Sequence, residues 1–228
     1  MRLASHYLDN IPEVDVAVLL PHPGDAEIFC GGAIAKLAAA GHRVGLLDFT
    51  AGEAGSHTRL EVKLDEADAA ARILGVTWRG CLRFPDARLE DTIMSRMTVT
   101  GEIKRLRPRL LITADPAQGH PDALPAARLV ENAAYLAGLE RLDNYLSPHR
   151  GARLLQVCAP ATAPNRIVDI TGTFEQKRAA LAAYTTLFAD SAPALERLER
   201  EARRLGDLAG VRYGEAFLDK HPLLGDLL

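Results

Sequence analysis

The chain has 228 residues, 48% of them apolar, with a formal charge of −3 at pH 7. That length and apolar share suit one α/β domain with a full core. The near-neutral charge points away from nucleic acid or an anionic membrane as the main partner, and no apolar run is long enough to span a bilayer. Residues 1–6 lack the basic-then-apolar plan of a signal peptide, so a cytoplasmic protein is expected. Cys30, Cys81 and Cys158 are widely separated and form no CxxC pair; they read as reduced, buried thiols.

Residues 14–20 read as a buried strand, because β-branched and leucine residues run almost unbroken. The strand opens into Pro21-His22-Pro23-Gly24-Asp25-Ala26-Glu27, then Cys30-Gly31-Gly32, and a helical pattern runs from Ala33 to a stop at Gly41. Residues 43–50 read as a second strand, so the first two strands and their helix form a right-handed parallel unit. A glycine-bearing loop over 50–57 follows on the same rim. The next helix covers 60–74, with Leu60, Leu64, Ala67, Ala71 and Leu74 on one face and Gly75 as its stop. Residues 79–84 form a third strand, 85–88 a turn, 98–106 a helix and 109–113 a fourth strand. A long polar loop over 114–123 carries His120-Pro121-Asp122 and leads into a helix over 126–137. Later strands are expected at 154–158 and 166–170, and helices at 174–187 and 193–208. The last helix pairs Arg and Glu at three- and four-residue spacing, as a solvated face does. With no repeat or linker, residues 1–228 read as one domain. Its expected fold is a Rossmann-like, mostly parallel sheet with helices on both faces.

The chemistry concentrates where the first strand ends. An imidazole and two carboxylates fall between His22 and Glu27, at the strand-to-helix position where open α/β sheets place their sites. His22 and Asp25 suit zinc, although the tetrapeptide by itself is equally an ordinary turn. The second His-Pro loop, at His120, can meet the first on one rim. The glycines form no G-x-G-x-x-G and no G-x-S-x-G occurs, which argues against a dinucleotide dehydrogenase and a serine hydrolase.

Taken with Leu47-Asp48-Phe49-Thr50-Ala51-Gly52-Glu53, Phe84-Pro85-Asp86, Lys177, Tyr184 and Tyr213-Gly214-Glu215-Ala216-Phe217, these motifs resemble the LmbE-like, or PIG-L, zinc-dependent N-deacetylases. Among them the likeness is to the bacillithiol-biosynthesis deacetylases. Such enzymes remove an acetyl group from an N-acetylglucosamine unit, through loops that typically read His-Pro-Asp-Asp-x-Glu and His-Pro-Asp-His. The resemblance implies that His22 and Asp25 hold zinc and that Glu27 supports them. It implies that His120 steadies the oxyanion and that Asp122 orients His120. Self-association into a homo-oligomer is implied as well.

Two positions depart from that pattern. Gly24 stands where the family has its general base, and Ala123 where it has its third zinc ligand. Gly119 and Lys63 stand where bacillithiol-type members usually carry Arg; Lys63 keeps the charge without the bidentate fork. Lys63 and Arg59 suit a carboxylate or phosphate on the substrate.

A catalytic zinc normally has three protein ligands, and losing a general base costs about 10²–10⁴-fold in rate. The expectation is therefore a degenerate site, a pseudoenzyme or small-molecule-binding protein whose zinc is weak or absent. The alternative is an active amide hydrolase for an N-acetyl sugar or thiol conjugate. In it His57, Glu53, Asp115 or a turned His120 would supply the missing ligand and base.

Overall fold

The computed structural model describes residues 11–55, 59–142, 146–188 and 192–220. Its strands are β1 (Val16–Leu20), β2 (Val44–Thr50), β3 (Trp78–Phe84), β4 (Leu110–Thr113), β5 (Arg153–Val157), β6 (Arg166–Asp169) and β7 (Gly214–Asp219). Its helices are α1 (Asp25–Ala39), α2 (Leu60–Leu74), α3 (Ile93–Leu106), α4 (Ala123–Ala137), α5 (Phe174–Ala182), α6 (Thr185–Phe188) and α7 (Ala192–Ala209).

The seven strands form one sheet in the order β3-β2-β1-β4-β5-β7-β6. The first five are mutually parallel, and β7 runs antiparallel to both of its neighbours. β1 and β2 are buried at every position, as strands covered on both faces must be. From β1 the chain steps one way to β2 and β3, then jumps back to β4 and β5 on the other side. Right-handed crossovers therefore put α1 and α2 on one face and α3 and α4 on the other. The direction reverses between β1 and β4, and the loops leaving their C-terminal ends diverge there to leave a crevice. Those loops carry His22 and His120.

Several elements differ from the sequence expectation, each for a visible reason. α1 begins at Asp25 rather than Ala33 and is broken at Cys30, whose φ of −143° and ψ of 19° are not helical. At the break Gly32 N–H and Ala33 N–H donate to Glu215 of β7 (2.9 and 2.7 Å), while Lys177 Nζ donates to Ile28 O (2.7 Å) and to Glu215 (2.6 Å). A buried ion pair thus takes the donor and acceptor that an unbroken helix would have paired. A Cβ on Gly32 would lie 2.8 Å from Ile170, so no larger residue fits there. The helix expected over 174–187 is likewise interrupted, after Ala182. Beyond the interruption, Thr185 Oγ1 and Thr186 N–H and Oγ1 all donate to Glu66 of α2 (2.6, 2.9 and 2.5 Å), which pins α6 in place. β7 has no counterpart among the expected strands; it forms by pairing with β5 and β6. α3 starts at Ile93, five residues earlier than its apolar pattern indicates, because Thr92 and Ser95 form a capping box.

Under the crevice lies a buried charged group. Arg79 of β3 donates to both oxygens of Asp48 (2.8 and 3.0 Å), to Glu27 Oε1 (2.7 Å) and to Ala67 O (3.0 Å). Burial pushes the Asp48 carboxyl up to about 6 despite the neighbouring guanidinium. One residue thus ties the start of α1 to β2, β3 and α2. Arg79→Met would leave two buried carboxylates without their cation, so it is expected to destabilise the fold by about 3–5 kcal/mol, read from urea unfolding midpoints.

Candidate functional site

Leu20 ends β1, and the chain turns through Pro21–Pro23 into Gly24, the N-cap of α1, at φ 100° and ψ −27°. That conformation favours glycine. A Cβ at residue 24 would have room, meeting Leu187 at 3.5 Å, but the backbone would be strained. The next residue, Asp25, folds back: its Oδ2 accepts the His22 backbone N–H (3.0 Å) and the His22 Nδ1–H (3.1 Å). The imidazole is thereby oriented with Nε2 pointing into the crevice. There Nε2 lies 3.1 Å from Asp122 Oδ2 and 3.1 Å from Asp86 Oδ1. Burial alone would lower the His22 pKa; the bonds to Asp25 and Asp122 and the Asp86 charge overcome it and raise the imidazole to about 9.

Asp86 sits in the turn after β3, between two non-glycine residues in the left-handed region, Arg83 near the end of β3 (φ 55°) and Ala87 in the turn (φ 60°). Its backbone N–H donates to Glu53 Oε1 (2.8 Å), and its Oδ2 accepts the Ala54 N–H (2.8 Å). The two loops therefore lock each other. Asp86 Oδ1 is buried and has no hydrogen-bond partner beyond its ion pair with His22 Nε2.

Asp122, 1% exposed, accepts from Ala87 N–H (2.8 Å) and Leu89 N–H (3.0 Å) as well as from His22. Burial would raise its pKa, but these bonds together hold the carboxyl below the usual range. Its own N–H donates to His120 Nδ1 (3.2 Å), so Nδ1 is used as an acceptor and Nε2 is turned outward. The His120 ring is half exposed and stands edge-on to His22, with centroids 4.4 Å apart.

Four donors thus converge: one ligand atom from each of His22, Asp86, His120 and Asp122, all within 4.8 Å of one another. Two imidazoles and two carboxylates suit zinc, and the Asp86 oxygen among them is held only by its ion pair with His22. The residues present fit such an ion. A cleft of about 160 Å³ opens beside them, walled by Lys63, Tyr184 and Leu187.

The sequence-derived candidates fall into place unequally. His22, His120 and Asp122 meet as the two-loop pattern suggests, with Asp25 bonded to the first of them. Lys63 is buried at the cleft and donates to Gly52 O, whereas Arg59 is exposed and lies outside the residues lining it. Glu27 belongs to the Arg79 group below. Ala123 is fully buried in the first turn of α4. Glu53 is engaged by Asp86 N–H. Asp115 accepts from Ala117 N–H, Ala159 N–H and Thr162 Oγ1–H (2.8, 2.9 and 2.5 Å), tying its loop to the segment after β5. His57 lies outside the described residues. Sequence reasoning passes over Asp86, taking Pro85–Arg88 as a plain turn. The available signal is its position two residues past a strand whose end shares the rim.

The sequence pattern of the family described as GlcNAc-PI de-N-acetylase (PIG-L) matches residues 17–134. Diacetylchitobiose deacetylase of Thermococcus kodakarensis is 31% identical over an alignment covering 90% of this chain and 84% of that protein. Among solved structures, a conserved protein of Thermus thermophilus superposes with a TM-score of 0.89 at 36% identity, covering 93% of this chain and 97% of its own. N,N'-diacetylchitobiose deacetylase of Pyrococcus horikoshii superposes at 0.80 with 27% identity, covering 89% and 82%.

The His22 pKa sets a sign for metal binding. Below about 9 the imidazole carries a proton on Nε2 that an ion must displace. Zinc affinity is therefore expected to rise about tenfold per pH unit from roughly 6 to 8, with proton release measurable by calorimetry in buffers of different ionisation enthalpy.

Proposed function

The chain belongs to the GlcNAc-PI de-N-acetylase (PIG-L) family, and on that premise we propose that its cleft binds an N-acetylated amino sugar beside a metal ion and hydrolyses it slowly. The observation that carries this reading is Gly24. Family members have a proton-accepting carboxylate there, and here the position has no side chain and a backbone turned away from the conformation an aspartate prefers. Binding survives in this reading because the donors at His22, Asp86 and Asp122 still converge, with His120 beside them.

Held by these residues, zinc would supply Lewis acidity toward the amide carbonyl. The chain's own groups do the rest. His120, with its proton on Nε2, donates a hydrogen bond to charge that develops on that carbonyl oxygen, and the Asp122 N–H fixes the ring. Tyr184 and Leu187 present apolar wall to the acetyl methyl, and the Lys63 ammonium faces a polar or anionic substituent. The likeness to bacillithiol-type members supports a thiol-linked amino sugar as the alternative ligand. Action as one domain and a cytoplasmic location belong to the same proposal. So does self-association, which the family likeness alone carries and which sedimentation equilibrium checks.

A second reading has one observation in its favour. His120 is half exposed, so it is the imidazole that water reaches, and the protein would then be an efficient amide hydrolase with a rebuilt site in which His120 Nδ1 gives up the Asp122 N–H to take a proton from water. Acetate release from N,N'-diacetylchitobiose separates the two. Gly24→Asp and Gly24→Asn carry the same backbone strain, and only the aspartate adds a base. Gly24→Asp is expected to exceed both Gly24→Asn and the wild type by about 10²-fold or more. Equal rates in all three would overturn the slow-hydrolase reading. A fast wild type that His120→Ala silences would establish the second.

A further inference from the structure

We infer that the protein has a second small-molecule site, a cavity between α1, α7 and β7 that takes a medium-chain aliphatic carboxylate with its chain inward and its head group at Arg197. The inference does not depend on a metal in the His22 crevice.

The cavity measures about 370 Å³, more than twice the 160 Å³ of the cleft beside His120, and falls within the size range of small-molecule sites. It adjoins the break in α1. Ile28 and Phe29, just before the break, form one wall, and Lys177 and Glu215, which fill the break, close the inner end. α7 forms the facing wall. Its C-terminal part lies tight against β7, where a Cβ on Gly214 would stand 3.0 Å from Gly206 N and 3.1 Å from the Leu205 carbonyl carbon. The lining runs from Leu205, beside that contact, back through Ala202 and Leu198 to the exposed Arg197. An occupant therefore touches the half of α1 that begins at Asp25 and orients His22.

The charges fix which way a ligand lies. At the inner end Lys177 and Glu215 are both buried and neutralise each other at 2.6 Å. Cys158 on the same wall is a neutral thiol, its pKa pushed up to about 12 by burial. On α7, Glu201 is paired with Arg204 (2.7 Å), and Arg200 lies 3.8 Å from Glu196. Arg197 has no hydrogen bond or ion pair among the described residues. The uncompensated charge is thus one guanidinium at the edge of an apolar space. A guanidinium matches a single carboxylate through two parallel N–H bonds. Ile28, Phe29, Leu198 and Leu205 supply apolar surface for an aliphatic chain, and nothing at the inner end calls for a second charge.

The experiment is calorimetric titration of the intact chain with hexanoate, octanoate and 1-octanol. Octanoate is expected to bind once per chain and about 15-fold more tightly than hexanoate, at about fourfold per methylene buried. 1-Octanol, with the chain and no charge, is expected to bind about tenfold more weakly than octanoate. Arg197→Gln has no partner to lose; it is expected to weaken octanoate about tenfold and to leave 1-octanol unchanged. Ala202→Leu fills the cavity and is expected to abolish binding of both, with the melting temperature establishing that the fold is kept; if that variant unfolds, Arg197→Gln decides alone. His120→Ala is expected to bind octanoate as the wild type does. No uptake of octanoate, equal affinity for hexanoate and octanoate, or unchanged octanoate binding in Arg197→Gln or in a folded Ala202→Leu would overturn the inference. Loss of octanoate in His120→Ala would overturn it too, by placing the carboxylate in the cleft beside His22.

Discussion

The guanidinium of Arg79 is the contact on which the site's geometry depends. It grips Asp48 on β2 with two hydrogen bonds and Glu27 on α1 with a third, all away from water. Two carboxylates and one cation leave an excess negative charge in the interior, an arrangement that is costly to build and costlier to break. What it secures is direction. Glu27 lies two residues after Asp25, so the first turn of α1 can leave the sheet at one angle only. That angle decides where Asp25 meets His22, and hence where Nε2 points.

Around that anchor each loop stabilises another rather than itself. The loop after β2 holds Asp86 through Glu53 and Ala54, the turn after β3 holds Asp122 through Ala87 and Leu89, and the loop after β4 returns Asp122 to His22. Backbone N–H groups engage the carboxylates of Asp25, Asp86 and Asp122 alike. A site assembled this way tolerates the loss of side chains at residues 24 and 123 without collapsing, because neither side chain is part of the loop-to-loop bonding. The cleft and the chemistry are separable, and a family fold can keep the first while altering the second.

Much of this was legible in the chain. The unbroken apolar runs of β1 and β2, the glycine and proline stops, and the His-Pro pairs at strand ends suffice for a parallel sheet with its crevice near His22 and His120. What escaped has a common physical cause: it depends on partners far away in sequence. The break in α1 at Cys30 needs Lys177 and Glu215; local propensity sees only a helix-forming stretch marred by two glycines. The interruption after Ala182 needs Glu66. Asp86 looks like a turn residue until Glu53 and Ala54 close on it and leave one oxygen facing His22. Asp115 looks like a spare ligand until Ala159 and Thr162 claim it. In each case the residue type was visible and its partner was not.

The Glu215 contact with Gly32 and Ala33 spans 183 and 182 residues of chain. On a ribosome adding about 5–20 residues per second, that separation is a wait on the order of ten seconds or more. Throughout it the second half of α1 has no cap, and Lys177, once made, waits a further 38 residues for its counter-ion. The earliest-made functional loop is therefore among the last parts of the molecule to become rigid.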